Sequence, residues 1–179
     1  MAAGPDFYNR RKGFNIPKGG GGPVGIKIEQ RIGVHAPASL IWEMIQDVAS
    51  WPDWNPIYTK ASGVVRIGEK IRLTRALPGQ PHEEIESTVL DWTPDELLHL
   101  KRTAYGGLFS VTSYWEIDTL AEEGCIFSTG ELYLGFLGRQ KARQLRRSLR
   151  QGFTAACDAM KARAEAAWQA QAKPPTSGA

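Results

Sequence analysis

Several residue types and motifs that would indicate a function directly are scarce in this sequence. Its two cysteines, Cys125 and Cys157, are too few for a disulfide scaffold and lack metal-ligand spacing. We therefore predict two buried free thiols. The three histidines, His35, His82 and His99, are not spaced as metal ligands, and each is predicted to lie on the surface or in a loop. No nucleophile elbow, phosphate-binding glycine loop or dinucleotide fingerprint occurs, so we expect no metal and no cofactor.

The sequence also lacks a large excess of positive or negative charge, and it lacks long apolar runs. The formal net charge of +3 over 179 residues is too small to indicate nucleic-acid binding. A membrane-spanning helix needs about 20 successive apolar residues, and the sequence has no such run. Residues 1–23 lack the apolar core of a signal peptide, which predicts a cytoplasmic protein. The composition, 42% hydrophobic and 23% charged, is typical of a globular domain with a buried core.

Glycine and proline divide the chain into a domain and two tails. Residues 18–23 contain four successive glycines followed by a proline, which is typical of a flexible linker. We predict a flexible N-terminal tail over 1–23, one folded domain over 24–168 and a disordered C-terminal tail over 169–179. The role of the first tail stays open, because it contains aromatic residues that disordered tails usually lack: Phe7, Tyr8 and Phe14.

Alternation and turn residues predict a series of strands. Apolar and charged residues alternate from 24 to 34, which indicates a half-buried strand with Gln30 as the one polar residue on its apolar face. Candidate strands separated by glycine- and proline-containing turns follow near 57–66, 70–76, 84–93, 96–104, 108–118 and 125–134. Strands joined by short turns form an antiparallel meander.

Helical spacing of apolar residues occurs twice. Two short helices are predicted after the first strand, because a proline at 37 precedes apolar residues at helical spacing and a turn with two tryptophans and two prolines ends the segment at 51–56. From 138 to about 168 an apolar stripe recurs at Leu145, Leu149, Phe153, Ala156, Met160 and Ala164. A sheet with one apolar face buries it best by curling around this long helix. The predicted fold is α+β, a curved antiparallel sheet of about seven strands wrapped around a long C-terminal helix.

The segment between the first strand and the meander carries a family resemblance. Residues 34–56 read V-H-A-P-A-S-L-I-W-E-M-I-Q-D-V-A-S-W-P-D-W-N-P. This resembles the opening of the START-like, Bet v 1-like (SRPBCC) superfamily, in its bacterial polyketide cyclase/dehydrase branch. The resemblance covers about residues 24–168 and implies a helix-grip domain that encloses an apolar, ligand-binding cavity. It does not specify a reaction, because the superfamily contains both enzymes and ligand carriers.

Strand alternation also places polar side chains on the predicted inner faces, among them Arg75, Arg102 and Glu131. Because an unpaired buried charge is costly, we expect Glu131 to pair with Arg102 or Arg75. Three interpretations stay open: a structural ion pair, a polar anchor for an apolar ligand, or a catalytic site in which Glu131 is a general acid/base and Arg102 stabilises an enolate. The predicted ligand-binding residues are Gln30, Leu73, Arg75, Val89, Leu100, Arg102, Tyr105, Phe109, Trp115, Phe127, Thr129, Glu131, Leu149 and Phe153.

Two surface features flank the predicted cavity. The turns at 77–83, 104–107 and 135–139 fall at one end of a meander, and their apolar side chains indicate either a cavity mouth or a cap on the core. The resemblance places the cavity opening at this end. The long helix carries a basic stripe, either a solvated face or a weak contact for an acidic membrane, formed by Arg139, Arg143, Arg146, Arg147 and Arg150.

These observations leave two functional classes. In the first, the protein binds a small hydrophobic molecule, lipid or polyketide-like, in an internal cavity for sequestration or delivery. In the second, it is a cofactor-independent polyketide cyclase or aromatase-type enzyme that acts on a ligand in the same cavity. We favour binding, because no diagnostic catalytic set is present. The expected partner is a small hydrophobic ligand rather than nucleic acid, and the sequence does not specify an oligomeric state.

Overall fold

The computed structural model describes residues 25–172. Within this range one antiparallel sheet of seven strands has the order β1-β7-β6-β5-β4-β3-β2. The strands are β1 (Ile26–Val34), β2 (Tyr58–Ser62), β3 (Lys70–Arg75), β4 (Glu83–Thr93), β5 (Leu97–Ala104), β6 (Phe109–Ala121) and β7 (Gly124–Leu134). The predicted meander is confirmed, and the first strand pairs with the last, with Ile26 opposite Tyr133.

Three α-helices accompany the sheet: α1 (Ala38–Gln46), α2 (Trp51–Trp54) and α3 (Phe136–Ala172). Pro37 caps α1, and a proline lies in the first turn of α2, where its missing N–H is harmless. Helix α3 continues beyond the predicted boundary at 168. The predicted tail over 1–23 and the part of the second tail after α3 lie outside the described residues.

The start of α3 depends on Gly135. This residue has a φ of 77°, which only glycine adopts at little cost, and a Cβ there would lie 2.3 Å from the carbonyl oxygen of Leu108. The backbone N–H of Leu137 donates to the same oxygen at 3.0 Å. The β5–β6 connection, which contains a 3₁₀ turn at Tyr105–Gly107, therefore packs directly against the first turn of α3.

The core lies between the concave face of the sheet and the apolar side of α3. Leu149 and Phe153 of α3 are 0% and 2% exposed. The ring of Trp51 lies 4.7 Å from that of Trp115 and 5.7 Å from that of Tyr58, measured between centroids. Its indole N–H donates to the carbonyl oxygen of Ile45 at 3.0 Å. The predicted helix-grip fold is confirmed, and the Trp51 contacts hold the short helices against the core.

Both cysteines are buried free thiols, as predicted. Burial, with help from the charge of Asp118, raises the pKa of Cys125 to about 11. Burial also raises the pKa of Cys157 to about 12, with a smaller effect from Asp158. Both thiols are therefore protonated and poorly nucleophilic at neutral pH.

The prediction that His99 is a surface residue is wrong. Alternation does point its ring away from α3, but the side chain is only 3% exposed. Its Nε2 lies 3.2 Å from Oε1 of Glu116, and its ring meets the Tyr114 ring edge-on. Tyr114 in turn lies across Gly130, where a Cβ would be 2.5 Å from the tyrosine hydroxyl. Large side chains lying flat on the outer face shield neighbours that alternation alone assigns to solvent.

Two further properties follow from the described residues. None of the helices within 25–172 has both the length and the apolar character needed to cross a bilayer. In the same range, no cluster of three or more His, Cys, Asp and Glu side chains could hold a metal ion.

Candidate functional site

A buried polar cluster lies inside the curl of the sheet. Arg75 ends β3 and Glu131 lies in β7, and although three strands separate these two in the sheet order, the curl brings them face to face. Nη1 of Arg75 donates to both carboxylate oxygens of Glu131, at 2.9 and 3.0 Å. The Ser113 hydroxyl donates to Oε1 at 3.0 Å, and the Tyr133 hydroxyl donates to Oε2. The predicted pairing of Glu131 with an arginine is confirmed for Arg75.

The surroundings keep this cluster ionised. Burial alone would raise the pKa of Glu131, but the guanidinium groups of Arg75 and Arg102 and the hydrogen bonds from Tyr133 and Ser113 hold it below its ordinary value. Burial alone would lower the pKa of Arg75, but the facing carboxylates, above all Glu131, raise it. Burial raises the pKa of Tyr133, and the negative charge of Glu131 adds to this effect, so the phenol stays protonated.

Glu83, the first residue of β4, connects this cluster to the surface. Its Oε2 accepts a hydrogen bond of 2.6 Å from Nη2 of Arg75. Its Oε1 lies 3.6 Å from Nη1 of Arg102 and 3.9 Å from Nζ of Lys141 in α3. Burial would raise the pKa of Glu83, but Arg75 first, and then Arg102 and Lys141, lower it overall.

Arg102 has the largest unused hydrogen-bonding capacity in this region. Its side chain is 12% exposed, and its contact with Glu83 is longer than a hydrogen bond. Among the described residues, its Nε and Nη2 have no hydrogen-bond partner, although both atoms are buried. The guanidinium carbon lies 5.5 Å from the centroid of the Phe109 ring, within cation–π distance. Because a guanidinium has five N–H donors, Arg102 can still bind an acceptor.

Two pockets open at the end of the sheet where these side chains meet. The larger, which we call the mouth groove, has a volume of about 540 Å³ and is lined by Glu83, Arg102, Ala104, Tyr105, Phe109, Leu137, Gln140, Lys141 and Gln144. The smaller has a volume of about 170 Å³ and is lined by Arg75, Leu77, Gln80, Pro81, His82, Glu83, Lys141 and Leu145. Because Glu83 and Lys141 line both, their contact separates the two pockets.

The charges around the two pockets do not balance. The lining and the polar cluster contain three cationic side chains, Arg75, Arg102 and Lys141, but only two carboxylates, Glu83 and Glu131. Both carboxyl groups have lowered pKa values and are therefore ionised at neutral pH. An excess of one positive charge in a partly desolvated groove favours an anionic or electron-rich ligand atom.

The predicted ligand-binding residues separate into four sets. Arg102, Tyr105 and Phe109 line the mouth groove, and Arg75 and Glu131 form the ion pair of the polar cluster. Thr129 is buried opposite half-buried Gln30 in the β1–β7 register. The remaining seven are buried in the hydrophobic core: Leu73, Val89, Leu100, Trp115, Phe127, Leu149 and Phe153. An internal apolar cavity walled by this last set therefore stays a prediction.

Two charged residues of the site, Glu83 and Lys141, are not among the residues predicted from the sequence. Glu83 falls in the predicted turn at 77–83, but it is the first residue of β4 and is half-buried. A signal for Lys141 was available, since it precedes Leu145 by one helical turn and so continues the inward-facing stripe of α3.

The geometry defines a helix-grip protein with an open, positively charged mouth, and the comparisons with known proteins agree with this class. The sequence profile of the family described as "Polyketide cyclase / dehydrase and lipid transport" matches residues 25–165, and the chain belongs to this family. A search of curated protein sequences found no match.

Solved structures share the fold at low sequence identity. The Zhui aromatase/cyclase from Streptomyces sp. R1128 superposes with a TM-score of 0.68 at 18% identity, over 84% of this chain and 100% of that one. Norcoclaurine synthase from Thalictrum flavum, in complex with dopamine and hydroxybenzaldehyde, gives 0.59 at 18% identity, over 89% and 97%. The di-domain StfQ from the steffimycin biosynthetic pathway gives 0.63 at 15% identity over 80% of this chain, which spans 52% of StfQ.

Proposed function

We propose that the protein binds a small apolar molecule that carries a carboxylate, enolate or carbonyl oxygen, and that Arg102 binds this oxygen. The observation that carries the proposal is the guanidinium of Arg102, whose Nε and Nη2 lack hydrogen-bond partners among the described residues. It lines the mouth groove, whose volume of about 540 Å³ falls in the range of small-molecule sites, roughly 300–1,000 Å³.

The rest of the groove fits such a ligand. Tyr105, Phe109 and Leu137 provide apolar contacts, and the Phe109 ring packs near the guanidinium. The contacts of Glu83 with Arg102 and Lys141, at 3.6 and 3.9 Å, are long enough for a ligand oxygen to compete for the same donors. Binding of an anion would also balance the excess positive charge of the site.

Sequestration or delivery is favoured over catalysis by the state of Glu131. A general acid or base works best when its pKa lies near the operating pH. The pKa of Glu131 is instead lowered, and both of its oxygens already accept hydrogen bonds, from Arg75, Ser113 and Tyr133. The alternative, a cofactor-independent cyclase or aromatase, is supported by the relatives, since the Zhui protein is an aromatase/cyclase.

Delivery of a hydrophobic ligand also requires a surface that supplies or receives it. Arg143, Arg146 and Arg150 of the predicted basic stripe are exposed, and Arg139 is half-buried. We propose an anionic membrane as this partner.

Titration calorimetry with an aromatic carboxylate and its neutral analogue tests the ligand proposal. We expect 2-naphthoate to bind saturably, one per chain. Arg102→Met should weaken naphthoate binding about 10- to 100-fold, since hydrogen bonds to charged groups contribute roughly 1.5–3 kcal/mol. The same change should affect 2-naphthalenemethanol much less.

Arg72→Met is the matched control, because Arg72 lies on β3 with a 68% exposed side chain that pairs with Glu86. Its naphthoate affinity should equal that of the unmodified protein. The proposal is wrong if naphthoate does not saturate, or if the two arginine variants bind it equally well.

A further inference from the structure

Three large apolar side chains at the mouth are exposed to solvent. Tyr105 is 74% exposed, Leu108 56% and Phe136 66%. The hydrogen bond from Leu137 N–H to Leu108 O holds the β5–β6 connection beside the first turn of α3, so these side chains belong to one region. We call them the mouth tip. Exposed apolar clusters of this kind mark interaction surfaces more often than isolated exposed residues do.

Helix α3 presents a basic face on the same side as Phe136. With about 100° per residue, Phe136 and the five arginines at 139, 143, 146, 147 and 150 fall within roughly a third of the helix circumference. The opposite side buries Leu145 and Leu149 in the core. We call this surface the arginine face.

The arginine face has no acidic counterpart on its own helix. Residues 136–157 contain six cationic side chains and no Asp or Glu. Among residues 25–172, none of the five arginines takes part in an ion pair. These cations are therefore available to an external anionic partner.

We propose that the mouth tip and the arginine face together dock on an anionic lipid bilayer. Aromatic and leucine side chains partition into the region between headgroups and acyl chains, and arginines beside them bind acidic headgroups. A soluble polyanion such as RNA would use the arginines but would leave the three apolar side chains in water. The combination of both features on one surface favours a bilayer.

Docking in this way also explains where the mouth groove opens. Tyr105 belongs to the mouth tip and also lines the groove, and Leu137, the neighbour of Phe136, lines it too. A docked molecule thus holds the groove entrance against the bilayer, where an apolar ligand dissolves. This inference rests on the proposed function and deepens it by naming the surface that docks and the orientation that results, although docking itself requires no ligand.

Vesicle flotation with the full chain tests the proposal. We expect binding to vesicles of 70% phosphatidylcholine and 30% phosphatidylserine, much weaker binding to pure phosphatidylcholine, and loss of binding as salt is raised. Both Leu108→Ser/Phe136→Ser and Arg143→Glu/Arg147→Glu should lower the bound fraction at least about fivefold, since each removes one of the two attractions.

The controls lie at the other end of the sheet, around the β2–β3 connection. Val64 and Ile67 are 63% and 64% exposed, and Val64→Ser/Ile67→Ser should bind vesicles normally. Lys60→Glu/Arg66→Glu, at exposed positions, makes the same change of net charge as the arginine-face variant and should weaken flotation much less.

Two outcomes would overturn the proposal. In one, the mouth-tip and arginine-face variants float like their controls, or the unmodified protein does not float. In the other, an RNA oligonucleotide binds as tightly as the anionic vesicles and the mouth-tip variant retains full vesicle binding, which would indicate a general polyanion site. Naphthoate affinity, measured on the same proteins, keeps failure of docking distinct from failure of ligand binding.

Discussion

Glu131 is the most strongly constrained ionisable residue of the site, and its environment explains why it stays charged inside an apolar interior. It is 2% exposed, and it accepts hydrogen bonds from Arg75, Ser113 and Tyr133. A buried ion pair of this kind contributes less net stability than its short distances suggest, because both charges lose hydration. Removal of one partner is nevertheless costly, since it leaves the other charge buried.

Glu131→Gln should therefore destabilise the protein by about 3 kcal/mol at neutral pH in urea unfolding. The pKa of Glu131 is lowered in the folded state, so the stabilisation is present above the ordinary value of 4.5 and is lost as the pH falls below it. The difference in free energy of unfolding between the unmodified protein and Glu131→Gln should stay constant from about pH 6 to pH 8 and shrink below about pH 4.5. A difference that grows on acidification would show that Glu131 is protonated in the folded protein.

A double-mutant cycle on the ion pair separates pairing from burial. Arg75→Met and Glu131→Leu, introduced singly and together, should give a coupling free energy of at least about 2 kcal/mol. The double variant should then be more stable than either single variant, because it leaves no unpaired buried charge. Additive effects in urea unfolding would contradict the pairing of Arg75 with Glu131.

The junction between β7 and α3 fixes the shape of the mouth. Gly135 turns the chain at a φ of 77°, and the carbonyl oxygen of Leu108 occupies the space that a Cβ would need. This close approach sets the position of the first turn of α3 relative to the β5–β6 connection, and so the width of the mouth groove.

Gly135→Ala should cost at least about 2 kcal/mol, because it adds left-handed backbone strain to a steric clash with backbone atoms. Gly33→Ala is the control, since a Cβ at Gly33 would have no heavy atom within 4 Å. Urea unfolding of both variants measures the difference. Equal stability of the two variants would mean that the backbone around the mouth groove moves to accommodate the added Cβ without cost.

At the scale of the whole molecule, more of the fold than of the candidate site could be predicted from the sequence. Period-two alternation and turn chemistry specify a meander, because each hairpin fixes the position of the next strand beside the last. The inner face of β7 also identified Glu131 as a buried carboxylate that needs a cationic partner. The choice between Arg75 and Arg102 depended on how tightly the sheet curls, which no local pattern records.

The other differences between the predicted and the observed structure arise from contacts between distant parts of the chain. Glu83 acquires its role only when β4 lies near Arg75, Arg102 and Lys141, which come from three other elements. His99 is buried because outer-face side chains such as Tyr114 lie flat on neighbouring strands, and an alternation pattern assigns that face to solvent. The role of Glu83 and the burial of His99 therefore depend on contacts between residues far apart in the sequence.

The central claim is that Arg102 binds the ligand's oxygen in the mouth groove. Guanidinium Nε–H signals in ¹H–¹⁵N NMR spectra report this contact directly, and the Arg102 signal is identified by its absence in Arg102→Met. On titration with 2-naphthoate, we predict that the Arg102 signal shifts with the same saturation curve as the calorimetric binding, while that of exposed Arg72 stays constant. Saturable binding without any change in the Arg102 signal would contradict the claim.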